Sequence, residues 1–253
     1  MSDRPGAENH ERQVPRAAVS WENPFGDRGC IRDPSRFFGR QEQLRRIFEE
    51  LRKGSSLSLV GDSQVGKSSL LAMVRHQAAA ELGALSAQVV HVDMQMIRNE
   101  AEFFEALCVE MGLPGSLRSY KLARALQGRR YVVCLDEIEK MANRQNFTGG
   151  EREELRGLAD GADAPLTLVI ASRSPLDVLF EDDPMRCSPL AGICGALPIV
   201  PFSWAETQAF LCHRLLGNGI QFSLEQMEVL FHQTQGHPAR LQAAADTLYR
   251  NLS

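Results

Sequence analysis

The feature that most constrains this chain is the stretch "SLSLVGDSQVGKSSLL" at residues 56–71, where a strand-like apolar run meets a turn and then a lysine. The spacing of Gly61, Gly66, Lys67 and Ser68 fits the pattern G-x-x-x-x-G-K-[ST]. Backbone N–H groups of such a turn converge into an anion-binding concavity, and the N-terminus of the following helix adds positive potential. The stretch therefore predicts a strand, a phosphate-binding turn and a helix, in that order.

Each residue type in this turn has a chemical reason to be there. Glycine at positions 61 and 66 permits torsions and a close approach of ligand that a Cβ would block. Lys67 brings a cation to the outer phosphates, and the Ser68 hydroxyl can complete the coordination of Mg²⁺. We expect the whole turn to contact the phosphates, namely Gly61, Asp62, Ser63, Gln64, Val65, Gly66, Lys67, Ser68 and Ser69.

A second signal is the run "YVVCLDEIEKM", in which an apolar strand ends in Asp136 and Glu137. An acid at the end of a neighbouring strand can hold Mg²⁺ through its water shell, which predicts Asp136 as a metal residue together with Ser68. A second acid one step further can orient and deprotonate an attacking water, which predicts Glu137 as the catalytic base beside Lys67. Together with the phosphate-binding turn, the acid pair favours a nucleotide-hydrolysing site.

The predicted fourth strand ends in "LVIASRSPL". A polar residue here would lie between the phosphate-binding turn and the acidic strand, where it could sense the terminal phosphate. Ser172 and Arg173 are both candidates, and we favour Ser172. An ordinary polar strand end is the alternative interpretation.

The pattern along the chain predicts an α/β fold, because short apolar runs alternate with helical segments. We expect a three-layer α/β/α domain with a five-stranded parallel sheet, whose strands are Leu57–Val60, Gln88–Asp93, Tyr131–Asp136, Leu166–Ala171 and Leu197–Val200. From Trp204 onward the pattern is only helical, with capping-box arrangements at Ser203 and Ser223. The predicted organisation is a disordered tail over 1–20, a nucleotide-binding domain over 21–202 and a helical lid domain over 203–253.

Composition narrows the function classes. A net charge of −4 without long blocks of one sign makes nucleic acid an unlikely partner. The apolar runs are too short to span a membrane, and the N-terminus does not resemble a secretory signal. The six cysteines form no CxxC pair, so we expect a reducing, cytoplasmic setting.

With these motifs in place, residues 21–252 resemble the STAND group of AAA+-related P-loop ATPases, particularly the novel STAND NTPase modules of prokaryotes. The resemblance rests on "NPF…RDPSRFFGRQEQLRRIFEEL", "GDSQVGKSSLL", "LDEIEK", "LTLVIASRSPL", "PFSWAETQAFL" and "GHPARLQAAADTLY". It implies that the segment before the turn covers an adenine, through Asn23, Pro24, Phe25, Phe38, Gly39 and Arg40. The "GHP" at residues 236–238 resembles a motif that brings the lid against the nucleotide, which implicates His237 and Pro238, with Arg240 as an alternative. Arg173 and Arg186 are both possible arginine fingers, and no spacing singles out either.

The resemblance implies ATP or ADP with Mg²⁺, and a slowly hydrolysing nucleotide switch in a signalling or defence assembly. A protein partner or effector domain and assembly into homo-oligomers on ATP binding are the implied partners. The alternatives are a non-hydrolysing scaffold module and a DNA-associated loader or initiator ATPase. The residues alone do not exclude GTP. The chain ends soon after the last predicted helix, which we interpret as a fragment of a longer protein or a minimal module.

Overall fold

The structure, a computed structural model, describes residues 23–83, 88–180 and 189–252. The predicted tail over 1–20 lies outside these ranges, as do Arg186 and Cys187. No helix within them is long and apolar enough to cross a membrane.

A five-stranded parallel sheet forms the centre of the fold, as the sequence pattern predicts. Its strands are β1 (Ser56–Val60), β2 (Gln88–Asp93), β3 (Tyr131–Asp136), β4 (Leu166–Ser172) and β5 (Cys194–Pro198). They lie in the order β2-β3-β4-β1-β5, which places β4 between the strand before the phosphate-binding turn and the strand that ends in the acid pair. The carboxyl ends of β1, β4 and β3 are therefore neighbours at one edge of the sheet.

Helices cover both faces of the sheet and form the end of the chain. Their bounds are α1 (Gln41–Arg52), α2 (Lys67–Leu82), α3 (Glu100–Glu110), α4 (Ser119–Ala125), α5 (Gly150–Ala159), α6 (Leu176–Leu179), α7 (Trp204–Leu215), α8 (Leu224–Thr234) and α9 (Pro238–Leu252). Both predicted capping boxes form, with Ser203 and Glu206 at the start of α7 and Ser223 and Gln226 at the start of α8. Each box satisfies backbone N–H groups that would otherwise lack partners at the start of a helix.

Alternate residues of the strands build two cores on opposite faces of the sheet. In β3, Tyr131 and Val133 face the core shared with α3, α4 and α5, whereas Val132 and Cys134 face the core shared with α1 and α2. Strands buried on both faces explain why the sequence shows apolar runs rather than alternation.

The fifth strand begins three residues earlier than predicted and ends at Pro198 instead of Val200. β5 is an edge strand paired with β1, and Gly195, Ala196 and Pro198 are exposed, so its hydrophobic pattern is weak. Val200 is exposed, although Ile199 remains tied to the sheet by an N–H donated to the Val60 carbonyl at 2.7 Å. The apolar run in the sequence therefore marks the chain that leaves the strand.

The C-terminal helices pack around a third core that also takes in residues from before the sheet. Phe25, Phe202 and Phe210 belong to this core, together with side chains of α8 and α9. Gly236, between α8 and α9, has φ +69°, and a Cβ there would overlap the carbonyl oxygen of Phe202. The Gly236 carbonyl also accepts the Phe202 N–H at 2.9 Å, so a glycine is required where the helical end meets the chain leaving the sheet.

Candidate nucleotide-binding site

The turn after β1 is held in a fixed shape by its two glycines and one buried valine. A Cβ at Gly61 would overlap the carbonyl oxygen of Ile199, and the Gly61 N–H donates to the Ser172 carbonyl at 3.1 Å. Gly66 takes φ +107° as the N-cap residue directly before α2. Val65 is fully buried, whereas Asp62, Ser63 and Gln64 are exposed above it. The structure thus presents the polar part of the turn to the space above the sheet.

Lys67 lies at the start of α2 with only 7% of its surface exposed. Its Nζ donates to the carbonyl oxygens of Gly61 at 2.6 Å and Asp62 at 2.8 Å. Burial lowers the pKa of this ammonium, and the nearby carboxylates of Glu139, Glu137 and Asp136 oppose that shift. The lysine is therefore an electrostatically costly cation that the carbonyls of its own turn hold in position.

The two serines after Lys67 have different surroundings. Ser68 lines the cleft above the turn and a neighbouring cavity of about 800 Å³ that also contains Asp136 and Glu137. Ser69 is buried, and its Oγ accepts the Ile31 N–H at 2.9 Å. Ser68 is thus placed to contact a ligand or a cation, whereas the Ser69 hydroxyl anchors the segment that precedes α1.

The acid pair lies where β3 ends. Asp136 is nearly buried, and its Oδ1 accepts the Glu137 N–H at 3.0 Å. Glu137 adopts a left-handed backbone conformation, φ 54° and ψ 49°, and its Oε2 lies 3.2 Å from Nη2 of Arg173. The described residues contain no cluster of three or more His, Cys, Asp or Glu side chains arranged for a metal ion. Ser68 and Asp136 both line the same cavity and suit Mg²⁺, which keeps several of its waters in protein sites.

Ser172 and Arg173, the two candidates for sensing the terminal phosphate, have different surroundings at the end of β4. Ser172 is fully buried, and its Oγ lies 3.3 Å from the Ser58 Oγ on the adjacent strand β1, away from the cleft. Arg173 is half-exposed, lines the cleft and pairs with Glu137. The preference for Ser172 is therefore not supported by its placement, because the last residue of the strand remains within the sheet and the next residue emerges from it.

The phosphate-binding turn opens into a cleft of about 560 Å³. Its floor is the turn and the start of α2, and its far wall is one face of α9, formed by Pro238, Ala239, Gln242 and Ala243. The segment that precedes α1 closes a further side. The remaining lining residues come from that segment, from the chain that follows β2, β3, β4 and β5, and from α7, namely Asp27 to Ile31, Arg36 to Phe38, Arg40, Gln95, Glu137, Arg173, Phe202, Phe210 and Arg214.

Only part of the predicted adenine segment reaches this cleft. Phe38 and Arg40 line it, and the buried Arg40 donates from Nη2 to the Val65 carbonyl at 3.3 Å and stacks over Phe202. Phe25 instead lies in the helical core, fully buried, with its ring stacked on Phe222 at 5.7 Å between centroids. The Phe25 contact with adenine is thus not supported, because an apolar ring preceding the helices is best buried among them.

The three remaining residues of the segment predicted to cover adenine are Asn23, Pro24 and Gly39. The Asn23 side chain donates to Asp246 on α9 at 2.6 Å, and Pro24 follows it in a turn and is half-buried. Gly39 has φ +67°, and a Cβ there would lie 3.5 Å from the Phe202 ring. Asn23, Pro24 and Gly39 lie outside the set of residues that line the cleft.

The "GHP" motif connects the helical end to the phosphate-binding turn. The His237 side chain is nearly buried, and its Nε2 lies 3.0 Å from the Ser63 carbonyl oxygen. Pro238 begins α9 and lines the cleft directly, whereas Arg240 is exposed on the other side of the helix. His237 thus contacts the turn itself rather than the space a ligand would fill.

Sequence reasoning assigned no role to several residues that line the cleft. They include Asp27 and Arg36 in the segment before α1, Arg214 on α7 and Gln242 on α9. Gln242 could have been suspected from helical spacing, because it follows Pro238 by four residues and Ala239 by three, which places all three on one face of α9. For the other three the sequence contains no local signal.

The parallel sheet, the glycine turn and the acid pair at neighbouring strand ends define a P-loop NTPase of the STAND/AAA+ type. The chain belongs to the novel STAND NTPase 1 family, whose model matches residues 30–251. Among curated proteins no match is found.

Several solved structures share the fold at low sequence identity. The Walker-type ATPase PABY2304 of Pyrococcus abyssi has a TM-score of 0.65 at 19% identity, covering 91% of this chain and 72% of that one. The ORC1 protein of Aeropyrum pernix, solved in complex with DNA, has a TM-score of 0.63 at 18% identity, covering 86% of this chain and 62% of that one. Domain III of the Thermotoga maritima replication initiation protein DnaA has a TM-score of 0.55 at 13% identity, covering 83% of this chain and 82% of that one. This chain thus spans less than two thirds of the ORC1 protein.

Proposed function

We propose that this chain binds Mg²⁺ and ATP in the cleft between the sheet and the C-terminal helices, hydrolyses ATP slowly, and acts as a nucleotide switch. In this proposal residues 21–202 are the nucleotide-binding domain and 203–253 the lid, and ADP is the product retained between turnovers. The supporting observation is that a single cleft is lined by the phosphate-binding turn on one side and by α9 on the other.

In this proposal different residues of the cleft bind the phosphates, hold Mg²⁺ and activate the attacking water. The backbone N–H groups in the exposed part of the turn and the Lys67 ammonium would hold the outer phosphates, with Lys67 exchanging its carbonyl partners for phosphate oxygens. Ser68 and Asp136 would hold Mg²⁺, which neutralises charge that develops on the phosphates during transfer. Glu137 would orient and deprotonate the attacking water, and Arg173, which pairs with Glu137, would approach the terminal phosphate.

The switch would operate through the contact between His237 and the turn. The Ser63 carbonyl that meets His237 belongs to the same turn that would hold the phosphates, so a change in the turn acts directly on the start of α9. Gly236 fixes the other side of this junction against Phe202. Binding of phosphates in the turn would thus change the position of the helical lid.

The test compares the wild type with Glu137→Gln in phosphate release and in retention of labelled ATP. We expect phosphate release to fall by about 100-fold or more, because a positioned general base contributes about that much, while ATP stays bound. Glu110→Gln is the matched control, since Glu110 is exposed on α3. Phosphate release by the Glu137→Gln variant at the wild-type rate would contradict the assigned role.

Two other candidate functions are separated by simple measurements. A wild type that retains nucleotide without releasing phosphate would be a scaffold module rather than a hydrolase. DNA association is a second candidate, because a protein of similar fold was solved with DNA. Filter binding to duplex DNA at two salt concentrations tests it, since binding through phosphate contacts weakens steeply with salt. We further propose a cytoplasmic setting, a protein partner or effector domain, and homo-oligomers that form on ATP binding.

A further inference from the structure

The cleft has a second end, away from Lys67, whose polar atoms remain unpaired. Arg214 on α7 has only 9% of its side chain exposed, and its Nε is buried without a hydrogen-bond partner among the described residues. The Nε2 atom of Gln242 on α9 is also buried and without a partner in the described part of the chain. Both side chains line the cleft. A buried donor that lacks a partner is costly, and because both side chains line the cleft, a ligand there would supply the partner once the side chains turn toward it.

The position of Gln242 assigns this end to the part of a nucleotide that is distant from the phosphates. Gln242 lies four residues along α9 from Pro238, about 6 Å along the helix axis, and Pro238 directly follows His237, which contacts the phosphate-binding turn. One further turn along α9, Asp246 accepts hydrogen bonds from Asn23 and Arg28. Gln242 therefore sits on the wall between the turn and the segment that precedes α1.

The surroundings of the two donors suit a flat aromatic ligand. Phe38 and Phe210 line the same cleft with ring centroids 5.6 Å apart, and the Arg214 guanidinium carbon lies 5.5 Å from the Phe210 ring. Apolar ring faces beside a few well-placed polar atoms are typical of sites that bind a ring while fixing its orientation. A base would satisfy the unpaired donors and cover the aromatic faces at the same time.

The chemistry of the two side chains distinguishes between bases. The Nη2 atom of Arg214 is already held by the Arg36 carbonyl at 2.8 Å and by Asp27 at 3.0 Å, so its two-pronged face is not available for the O6 and N7 acceptors of guanine. Gln242 carries a donor and an acceptor side by side, which is the pattern that pairs with N7 and the 6-amino group of adenine. We propose that Gln242 is the residue that selects adenine over other purines, with Arg214 Nε as a supporting donor to the same nucleotide.

This inference rests on the proposed nucleotide binding and adds its base specificity. It is tested by titrating the full chain with ATP, GTP and the triphosphate of purine riboside, which is ATP without the 6-amino group. The variant is Gln242→Leu, which removes both polar atoms at nearly constant size. The matched control is Gln233→Leu, since Gln233 is exposed on α8.

For the wild type we expect ATP to bind about tenfold or more tightly than either of the other triphosphates, because a site left with an unpaired buried group loses about that much. In Gln242→Leu we expect the three affinities to converge to within about threefold, and in Gln233→Leu we expect the wild-type preference. The thermal midpoint of ligand-free Gln242→Leu should match or exceed that of the wild type, because the change removes an unpaired buried donor.

The outcomes separate the two levels of the proposal. A wild type that binds none of the three triphosphates overturns the proposed function, and the base assignment with it. A wild type that binds ATP and the analogue without the amino group equally well overturns the assignment to Gln242 alone, and so does a Gln242→Leu variant that keeps the full preference for ATP. The analogue experiment uses only the wild type, so it can overturn the assignment even if the variant does not fold.

Discussion

The two ends of the cleft differ in how their polar groups are satisfied. At the phosphate end Lys67 is held by the carbonyls of its own turn, and Glu137 is paired with Arg173. At the other end Arg214 Nε and Gln242 Nε2 are buried with no partner among the described residues. At the phosphate end the charged groups are paired within the protein, whereas at the other end two donors have no partner among the described residues.

This difference determines what a ligand must do at each end. A polyphosphate has to displace the carbonyl oxygens that Lys67 contacts. The binding free energy gained at Lys67 is therefore the difference between a carbonyl and a phosphate oxygen as acceptor, and the charged phosphate is the stronger of the two. A base that meets Arg214 and Gln242 relieves groups that lack partners and displaces no protein contact. We therefore expect the phosphate end to supply affinity and the other end to supply selectivity.

The largest expected effect is that of Lys67→Ala. We expect ATP and GTP binding to weaken equally, by more than about 100-fold, because a charge-assisted contact to the phosphates is lost and neither base is affected. Isothermal titration with both nucleotides measures the two affinities and their ratio. Lys121→Ala is the control, since Lys121 is exposed on α4. Tight nucleotide binding by Lys67→Ala would show that Lys67 does not supply affinity at the phosphate end, and would contradict the proposed phosphate-binding site.

The phosphate end was predictable from the sequence because its chemistry is local. The turn, the first lysine of α2 and the acid pair each depend on residues that are adjacent in the chain, and the order of the strands then brings them together. The choice between Ser172 and Arg173 was not predictable, because it depends on where the strand stops and which side chain first leaves the sheet. Their burial and exposure in the structure reflect that one-residue difference.

The other end was not predictable because it is assembled from distant parts of the chain. Phe25 carries an apolar ring that fits either a base or a core, and only the packing of α7 to α9 decides for the core. Helical spacing places Gln242 on the same face of α9 as Pro238, but Arg214 has no signal in the sequence, and the missing partner that distinguishes both residues is a property of the folded protein alone.

The next largest effect is that of Gly236→Ala. This variant tests whether α9, the far wall of the cleft, depends on the contact between Gly236 and Phe202 for its position. The left-handed backbone at φ +69° and the overlap with the Phe202 carbonyl should lower the free energy of unfolding by about 2 kcal/mol. Because α9 begins two residues later, the preference for ATP over GTP should fall while binding of tripolyphosphate changes less. Chemical denaturation and titration measure the two effects.

Gly157→Ala is the control for this variant. Gly157 lies inside α5, is exposed, and has open space where a Cβ would go, so the substitution should raise stability by about 0.5–1 kcal/mol. If Gly236→Ala were as stable as this control, the junction would be less constrained than its geometry indicates.

A smaller effect is expected from Arg173→Ala, which breaks the ion pair at the phosphate end. Arg173 is 54% exposed, so its contribution to stability is small. We expect kcat for ATP hydrolysis to fall by about tenfold, because Glu137 loses the partner that positions it and the terminal phosphate loses a nearby cation. Binding affinity for ATP should change by less than about threefold. Arg173→Lys should restore part of kcat, and an unchanged kcat in Arg173→Ala would show that the ion pair has no part in turnover.

The smallest expected effect is a pH dependence confined to the phosphate end. Burial lowers the pKa of Lys67 in the ligand-free protein, and a bound polyphosphate raises it again by favouring the ammonium. Above the lowered pKa the free lysine is neutral, so binding must take up a proton and ATP affinity falls as pH rises; below it there is no dependence. Titrations at alkaline pH in two buffers of different ionisation enthalpy measure the proton uptake.

Adenosine provides the matched comparison for this last measurement. It would meet Gln242 and Arg214 but not Lys67. The amide does not titrate, and although burial lowers the pKa of Arg214, the Asp27 carboxylate opposes that shift and an arginine starts from a higher pKa than a lysine. The affinity for adenosine should therefore stay constant over the pH interval in which ATP affinity declines. A parallel decline for adenosine would mean that pH acts on the whole cleft, and the division into an affinity end and a selectivity end would not hold.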